Sequence, residues 1–187
     1  MSNVTKRVLA MSLKGLLVKR PLDAITIQDI VDDAEVSRKT FYYHFQDVYA
    51  LLEWILVDEG KRILEGNITA NTWQQGLRNV FAYFQNNRAM ILNVHRSLQH
   101  NSDFFKVQVT ELLQPLLERI FEEQPNQEQV SEEDKAFILR LYSFGLVTLF
   151  LRWIDDGMKP DAAYLMDQLQ RIFSGSMDYV IRKCLES

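Results

Sequence analysis

The chain has 187 residues, of which 47% are hydrophobic and 25% are charged, with only 7 glycines and 4 prolines. This length suits one large domain, or a small domain joined to a larger one with a sizeable core. The single cysteine, Cys184, excludes an internal disulfide and argues against the usual cysteine-based zinc sites. No secretory signal pattern opens the chain, and the longest apolar run, 141–154, is too short to span a bilayer, so we expect a cytoplasmic protein with no membrane partner.

The net charge of −4 is unevenly distributed along the chain. Residues 1–50 carry seven Lys or Arg against six Asp or Glu, and the remaining residues carry 14 against 19. The first part is therefore near neutral, and the rest is acidic. The acidic part of the chain after residue 50 disfavours non-specific adhesion to nucleic acid, so any DNA binding must come from a local positive face.

Hydrophobic residues recur at helical spacing along the chain, and alternation typical of strands is absent, which predicts an all-α protein. The first predicted helix covers about residues 4–19. Leucines lie on its inward side and cations mostly on its outward side: Leu9, Leu13, Leu16 and Leu17 against Lys6, Arg7, Lys14 and Lys19. Pro21 ends this pattern and turns the chain towards the next segment.

Residues 26–45 contain two short helical patterns separated by a tight polar turn. In the first, apolar residues recur at i, i+3, i+4 and i+7, namely Ile27, Ile30, Val31 and Ala34. Thr26 and Asp29 form a capping-box pattern at its start, and Ser37 can cap the second helix. This pattern predicts a helix-turn-helix.

The second of these helices has two contrasting faces. Phe41 and Phe45 are four residues apart and are expected to face inward. The opposite surface carries cations, hydroxyls and an imidazole, with Lys39, Thr40, Tyr43 and His44 at its centre and Arg38 and Tyr42 on its flanks. Such a surface suits the major groove of DNA, where cations meet phosphates and polar side chains reach base edges. The alternative is an ordinary helical hairpin whose aromatic residues are all core, which leaves Tyr43 and His44 without a role.

The string Thr40-Phe-Tyr-Tyr-His-Phe45, preceded by Ile27-x-x-Ile30-x-x-x-Ala34-x-Val36-Ser37 and followed by Leu51-Leu52, resembles the DNA-binding domain of TetR-family transcriptional regulators. The resemblance covers about residues 4–55. It implies that the next predicted helix, at about 48–65, links this domain to the C-terminal part of the chain, which we call the body. The candidate DNA-binding residues are Thr26, Gln28, Ser37, Arg38, Lys39, Thr40, Tyr42, Tyr43 and His44.

The sequence departs from the family pattern at several positions near the second helix of the predicted helix-turn-helix, which we call the reading helix. Val48 stands where the family commonly has a lysine that touches a phosphate, and Gln46 stands where a base is frequent. Glu35 replaces a usual turn glycine, and Asp47 adds a further negative charge. We therefore expect weaker non-specific DNA binding and a shallower salt dependence than is usual in the family.

The rest of the chain reads as six further helices, giving about nine in all. They cover about 48–65, 72–86, 90–98, 102–123, 131–154 and 160 to the C-terminus. We predict an N-terminal three-helix, helix-turn-helix DNA-binding domain at 1–47. A larger C-terminal helical domain at 48–187 is predicted to carry ligand binding and dimerisation.

The helix predicted around 137–154 is apolar almost all round, which indicates either a central core helix or a helix buried on its second side by a partner subunit. With the last helix it is predicted to form a four-helix dimer interface. The candidate interface residues are Gly145, Leu149, Trp153, Leu169, Phe173 and Val180. The alternative is a core helix that happens to contain a glycine.

An effector cavity in the body is expected from the resemblance, with aromatic side chains as its candidate lining: Trp54, Phe81, Phe84, Phe104, Phe105 and Tyr142. Aromatic residues at helical spacing are more often simple core. His95, His100 and Asp103 offer nitrogen and oxygen ligands for zinc, but solvent-facing or core histidines fit better, so no metal and no cofactor are predicted. The sequence contains no phosphate loop and no nucleophile motif, and we predict that the protein is not an enzyme.

These features predict a homodimeric transcriptional regulator that binds a near-palindromic operator in double-stranded DNA. The resemblance implies a repressor released by a small effector. Tyr42-Tyr43-His44, Trp54-Ile55 and the pattern from Phe144 to Gly157 resemble more particularly a branch that includes the activator of dihydroxyacetone kinase operons. The alternative is an interaction protein on the same scaffold, whose C-terminal domain binds a protein co-regulator rather than a metabolite.

Overall fold

The computed structural model describes residues 2–64, 72–98 and 103–186, and all regular secondary structure in these ranges is helical. For residues 2, 64, 103–105 and 112 only the backbone is described. The described ranges contain ten α-helices in this order: α1 (Ser2–Lys19), α2 (Ile27–Asp33), α3 (Arg38–His44), α4 (Val48–Leu64), α5 (Trp73–Asn86), α6 (Arg88–Ser97), α7 (Asp103–Glu122), α8 (Glu132–Asp155), α9 (Ala162–Phe173) and α10 (Ser176–Leu185). Short 3-10 helices at Leu22–Ala24 and Gln127–Gln129 precede α2 and α8. The predicted all-α class is confirmed.

The last predicted helix is divided into α9 and α10. Ser174 has an extended backbone, and Gly175 has a φ of 74°, a left-handed conformation that glycine adopts without a steric penalty. Neither residue can continue the α-helical path of α9. The hydrophobic periodicity continues across this break, which is why the sequence pattern reads as one helix.

The chain forms two compact units, one of Met1–Glu59 with Asn87–Phe104 and the other of Gly60–Asn86 with Phe105–Ser187. The boundary predicted between the functional domains, after residue 47, stays a prediction.

The first unit is built around the inward face of α1. Leu9, Leu13 and Leu17 are fully buried there together with Ile30 of α2 and Phe41 of α3. The hydroxyl of Ser12, also buried, donates a hydrogen bond of 3.0 Å to the Ile30 carbonyl and so fixes α2 against α1. Three of the four predicted inward leucines are thus confirmed as buried, and Leu16 is half-buried.

Helix α6 also belongs to this first unit, although it follows α5 in sequence. Its Asn93 side chain donates a hydrogen bond of 2.9 Å to the carbonyl of Leu17, near the end of α1. The hydroxyl of Ser97 donates to the Asp23 carboxylate at 3.1 Å, in the turn before α2. Helix α6 therefore contacts the N-terminal helices directly, through polar anchors as well as its buried apolar side.

The second unit contains an aromatic cluster formed by α5 and α8. The ring of Phe84 lies 4.6 Å from that of Phe150, and the ring of Phe81 lies 5.0 Å from that of Trp153, with edge-to-face geometry in both pairs. Such pairs contribute about 0.5–1.5 kcal/mol beyond the burial of their surface. The Trp153 indole N–H donates a 2.7 Å hydrogen bond to the Pro160 carbonyl, which satisfies the one polar group of that side chain.

Helix α8 has apolar side chains on opposite sides, as predicted. One side is buried in the second unit and includes Ile138, Leu146, Val147, Phe150 and Ile154. The other side exposes Phe137, Leu141, Phe144 and Leu149, whose exposed fractions are 64%, 57%, 54% and 44%. By length and composition α8 also resembles a membrane-spanning helix, a property shared by central helices of soluble domains.

Candidate DNA-binding interface

Helix α2 begins at a complete capping box. The Thr26 hydroxyl accepts a hydrogen bond from the Asp29 backbone N–H, and the Asp29 carboxylate accepts one from the Thr26 N–H at 2.7 Å. The Thr26 hydroxyl also donates to that carboxylate at 2.6 Å. The predicted cap is confirmed. The Thr26 hydroxyl is thus fully engaged within the helix start, and the predicted contact of Thr26 with DNA stays a prediction.

The Asp29 carboxylate also forms an ion pair with Arg20, whose Nη2 lies 3.0 Å from Oδ1. The hydrogen bonds from Thr26 and the Arg20 guanidinium lower the pKa of Asp29 from 3.8 to about 2, because they favour the charged carboxylate. Asp29 is therefore ionised at any ordinary pH. Arg20 follows α1 directly, so the pair ties the end of α1 to the start of α2.

The turn between α2 and α3 has the hydrogen bonds of a Schellman motif. The Val36 N–H donates to the Val31 carbonyl at 3.0 Å, and the Glu35 N–H donates to the Asp32 carbonyl at 3.3 Å. Glu35 has a φ of 52°, the left-handed conformation that this motif requires after a helix. Glycine would adopt this conformation more easily, so the turn is formed despite its residue type.

Helix α3 is capped by Ser37, as predicted. The Ser37 hydroxyl accepts a 3.1 Å hydrogen bond from the Thr40 N–H and lies 2.8 Å from the Thr40 hydroxyl. Phe41 is fully buried and Phe45 is 6% exposed, which confirms that both face inward. Two anchors four residues apart fix the rotation of this seven-residue helix.

The opposite surface of α3 is open to solvent. Tyr43 is 80% exposed and Tyr42 is 58% exposed, although tyrosine rings are usually partly covered. Arg38 and Lys39 are also exposed, and Thr40 and His44 are half-buried. The Tyr43 and His44 rings lie 4.8 Å apart in edge-to-face geometry, so each limits the other's orientation. Six of the seven α3 residues are thus exposed or half-buried, and Phe41 alone is buried.

Gln28 connects α2 to α3. Its side-chain oxygen accepts a hydrogen bond from Arg38 Nε, and its side-chain nitrogen donates to the Asp32 carboxylate. The bond orients the Arg38 guanidinium and leaves its terminal nitrogens for other acceptors. The sequence pattern indicates Gln28 and Arg38 separately but not the hydrogen bond between them, because helical periodicity does not reveal a bond that spans ten residues and a turn.

Helix α4 begins beside the reading helix with Asp47 as its cap. The Asp47 carboxylate accepts a 2.8 Å hydrogen bond from the Ala50 N–H. Val48, the first residue of α4, is half-buried. One oxygen of Asp47 is therefore used to cap the helix, and Val48 offers no charge where the family commonly carries a lysine.

The candidate effector-pocket residues are placed differently from one another. Phe81 and Phe84 pack in the aromatic cluster, which corresponds to the core alternative. The Tyr142 hydroxyl donates a 2.8 Å hydrogen bond to Ser176, and the buried position of Tyr142 raises its pKa. Trp54 belongs to the first unit, where its ring lies 6.0 Å from that of Phe45. The side chains of Phe104 and Phe105 lie outside the described part of the chain.

A groove between α7 and α8 has a volume of about 560 Å³. Polar side chains on both helices line it, among them Thr110, Gln114, Arg140 and Ser143. The Ser143 hydroxyl is buried and has no hydrogen-bond partner in the part of the chain that the structure describes. Of the predicted pocket residues whose side chains are described, Trp54, Phe81, Phe84 and Tyr142, none lines this groove.

The candidate dimer residues also divide into two groups. Trp153 and Leu169 are each 3% exposed and belong to the core of the second unit, so they offer no surface to a partner. Gly145 and Leu149 are exposed on α8, and Phe173 and Val180 are half-buried. The division follows from the helical period: on α8, Trp153 lies on the side that packs against α5.

The histidine cluster weighed for zinc cannot be assembled from the described residues. His95 is half-buried on α6, whereas His100 and the Asp103 side chain lie outside the described part of the chain. Among the residues that are described, no group of three or more His, Cys, Asp or Glu side chains is placed to hold a metal ion.

Comparison with known proteins agrees with this geometry. Residues 14–55 match the family of bacterial regulatory proteins of the tetR type, and residues 71–175 match a transcriptional regulator C-terminal region of the TetR class. The chain is 27% identical over 142 residues to the HTH-type dhaKLM operon transcriptional activator DhaS of Lactococcus lactis subsp. lactis (strain IL1403), covering 74% of this chain and 73% of that protein.

Two solved structures share the fold. A dihydroxyacetone kinase operon activator DhaS matches with a TM-score of 0.67 and 19% identity, over 97% of this chain and 98% of that one. The TetR family repressor AlkX from Dietzia sp. strain DQ12-45-1b, implicated in biodegradation of n-alkanes, matches with a TM-score of 0.59 and 16% identity, over 94% and 97%. The family matches span the reading helix and more than half of the chain, and they confirm the predicted resemblance. The protein is a transcriptional regulator, not an enzyme, and belongs to the TetR family.

Proposed function

We propose that the protein is a cytoplasmic homodimer that binds a near-palindromic operator, with α3 of each subunit in the major groove. The observation that carries this proposal is the solvent-facing side of α3, where two exposed tyrosines and Lys39 lie opposite the buried Phe41 and Phe45. Large exposed aromatic side chains on a rigidly anchored helix serve recognition better than stability. With 80% of its surface exposed, Tyr43 contributes little buried area to the stability of the fold.

The proposed contacts follow from the chemistry of each side chain. Lys39, Thr40 and Tyr43 reach base edges and thymine methyl groups, because they lie at the centre of the exposed side. Arg38 and Tyr42 contact phosphates on its flanks and set the register of the helix, and the His44 imidazole contacts the DNA beside Tyr43. Thr26, Gln28 and Ser37 support these contacts from the start of α2 and the turn.

Substitution on α3 tests this proposal. Tyr43→Ala and Lys39→Ala should each reduce operator affinity by about 1–3 kcal/mol per lost base contact, measured by gel shift on the protein's own promoter region. Tyr43→Phe removes only the hydroxyl, and Lys106→Ala removes an exposed lysine from α7 as a matched control. Operator affinity that is unchanged in both alanine variants contradicts docking through α3.

The proposed dimer interface is the exposed side of α8 together with α9 and α10. Four large apolar side chains of α8, and Ile172 of α9 with an exposed fraction of 67%, lie open to solvent in the monomer. Several large exposed apolar side chains on one element indicate an interaction site, because isolated domains seldom leave so many open to solvent. Gly145 lies within it, and a Cβ built there would meet no atom within 4 Å of the same chain, so the monomer does not require glycine at that position.

The proposed signal is a small effector that changes the separation of the two reading helices, releasing a repressor from DNA. The groove between α7 and α8 supports this, because its volume is typical of ligand sites and the Ser143 hydroxyl there has no partner among the described residues. Repression is proposed because occupation of an operator is sufficient for it. A promoter–reporter fusion, in strains with and without the regulator, tests the sign.

The second candidate is a regulator whose body binds a protein co-regulator. The observation that favours it is the packing of Phe81 and Phe84 against Phe150 and Trp153, which fills the space that those rings were expected to leave for a metabolite. Similarity to an operon activator also supports it, because an activator must contact a second protein as well as DNA. A cell extract is added to the complex of regulator and operator. If the extract still releases the regulator after its proteins have been removed, the signal is a small effector. If release requires the protein fraction, the signal is a protein co-regulator.

A further inference from the structure

Helix α1 carries a second apolar side opposite its buried leucines. Val4, Val8, Met11 and Val18 have exposed fractions of 69%, 37%, 73% and 56%. Gly15 lies between Met11 and Val18, and a Cβ built there meets nothing within 4 Å. These five residues follow each other at steps of 4, 3, 4 and 3, the spacing of a coiled-coil seam. We call them the α1 seam.

The charged residues of helix α1 itself all have one sign. Helix α1 contains cations and no Asp or Glu. Arg7 on one edge and Lys19 on the other are exposed, and neither forms an ion pair within the described ranges. Lys14 is already paired with Glu59 at 2.7 Å. The seam is therefore an apolar strip between unneutralised positive charges.

This charge pattern selects among the surfaces that would cover the seam. A second copy of α1 would bring cations against cations, which is unfavourable at a coiled-coil edge. A lipid surface prefers a broad apolar face with aromatic residues, whereas the seam is one residue wide and has none. DNA offers no partner for a row of valines. A helix with its own apolar seam flanked by Glu or Asp satisfies both the spacing and the charge.

We propose that the α1 seam is a docking surface for an acidic amphipathic helix of another protein. The partner helix would pack its apolar residues along Val4, Val8, Met11 and Val18. Gly15 gives room in the middle of the seam for a large partner side chain. Acidic residues of the partner would pair with Arg7 and Lys19. The proposal concerns a surface separate from the reading side of α3, so it stands or falls independently of the proposed operator contacts.

The first experiment uses a synthetic helical peptide of about three heptads, with leucine at the seam spacing and glutamate beside it. A neutral twin has glutamine in place of glutamate, and a cationic twin has lysine. Fluorescence anisotropy with the full-length protein, without DNA, measures the three affinities. We expect the acidic peptide to bind at least about tenfold more tightly than the cationic one, and to weaken as salt is raised.

Substitutions in the seam then locate the binding. Val18→Gln and Gly15→Gln should each weaken the acidic peptide by about tenfold or more, because each places a polar amide in the apolar strip. Val107→Gln, at an exposed valine of α7, is the matched control and should have no effect. Folding is not at risk in Gly15→Gln, because glutamine is a better helix former than glycine and the space there is open. Circular dichroism and an unchanged operator gel shift confirm that each variant is folded and binds DNA.

Three results overturn the proposal. The first is equal affinity for the acidic, neutral and cationic peptides, or binding that the seam variants leave unchanged. The second is binding to vesicles of equimolar phosphatidylserine and phosphatidylcholine in the absence of any peptide binding, which assigns the seam to a lipid surface. The third is dissociation of the wild-type oligomer by Val18→Gln in sedimentation, which shows that a second copy covers the seam.

Discussion

Replacing Glu35 by glycine should stabilise the helix-turn-helix, because Glu35 holds a backbone conformation that glycine adopts without strain. With a φ of 52° it lies in the left-handed region, which costs an L-residue roughly 1–2 kcal/mol. Glycine removes that cost but gains freedom in the unfolded chain, which offsets roughly 0.5–1 kcal/mol. The two hydrogen bonds of the turn use backbone atoms only, so both survive the substitution. We expect a net gain of about 0.5–1 kcal/mol in the free energy of unfolding.

Charge contributes separately at this position. Glu35 follows Asp32 and Asp33 at the C-terminal end of α2, where the helix dipole already disfavours negative charge. Glu35→Ala removes the charge but keeps the strained φ. Glu35→Asn removes the charge with a side chain that tolerates the left-handed conformation. The expected order of stability is therefore glycine or asparagine first, alanine next and wild type last.

Urea unfolding followed by circular dichroism separates the two effects. Strain does not depend on salt, so the difference between the glycine and alanine variants should be the same at low and high ionic strength. The charge effect, which is the difference between alanine and wild type, should shrink as salt is raised. An alanine variant as stable as the glycine variant would show that the left-handed backbone costs nothing here, and the strain argument would be refuted.

Three further predictions concern DNA, the dimer and pH. Val48→Lys should restore one phosphate contact per subunit and steepen the dependence of log K on log salt by about 0.9 per contact, or roughly 2 for a dimer. The change should be equal for operator and random DNA, because phosphates carry no sequence information. An unchanged slope would place residue 48 away from the DNA backbone. Gly145→Leu should weaken dimerisation by about 1–3 kcal/mol in sedimentation without unfolding the monomer, and a wild type that is monomeric at micromolar concentration excludes this interface. The pKa of Asp29 is lowered in the folded protein from 3.8 to about 2, so the charged carboxylate stabilises the fold above pH 4 and this contribution is lost as pH falls towards 2. In Asp29→Asn, the free energy of unfolding should therefore change less with pH over that range.

Much of the proposed DNA-binding surface was predictable from local sequence. The spacing of Phe41 and Phe45 determined which side of α3 is buried, and the exposed side followed from it. The caps at Thr26 and Ser37 were equally readable, because a cap satisfies backbone N–H groups within three residues of itself. Each of these features depends on contacts between residues that are close in sequence.

The body was less predictable, because periodicity identifies an apolar side but not what covers it. Trp153 and Leu149 both lie on α8, yet Trp153 packs in the core and Leu149 is exposed. A helix that is apolar on two sides gives the same sequence pattern whether its second side meets the same chain or a partner. Helix α1 shows the same ambiguity, since Met11 and Leu13 read alike in sequence but have exposed fractions of 73% and 0%.

The sequence by itself therefore determined the helical class, the caps and the exposed face of α3, since helical period and capping act over a few residues. Only the tertiary structure decided that α6 packs against α1 through Asn93, that Gln28 holds Arg38, and that Phe81 and Phe84 fill a core cluster. These contacts join residues that are ten to more than seventy positions apart, or on different helices. Their formation depends on how whole helices pack, a property that no local pattern records.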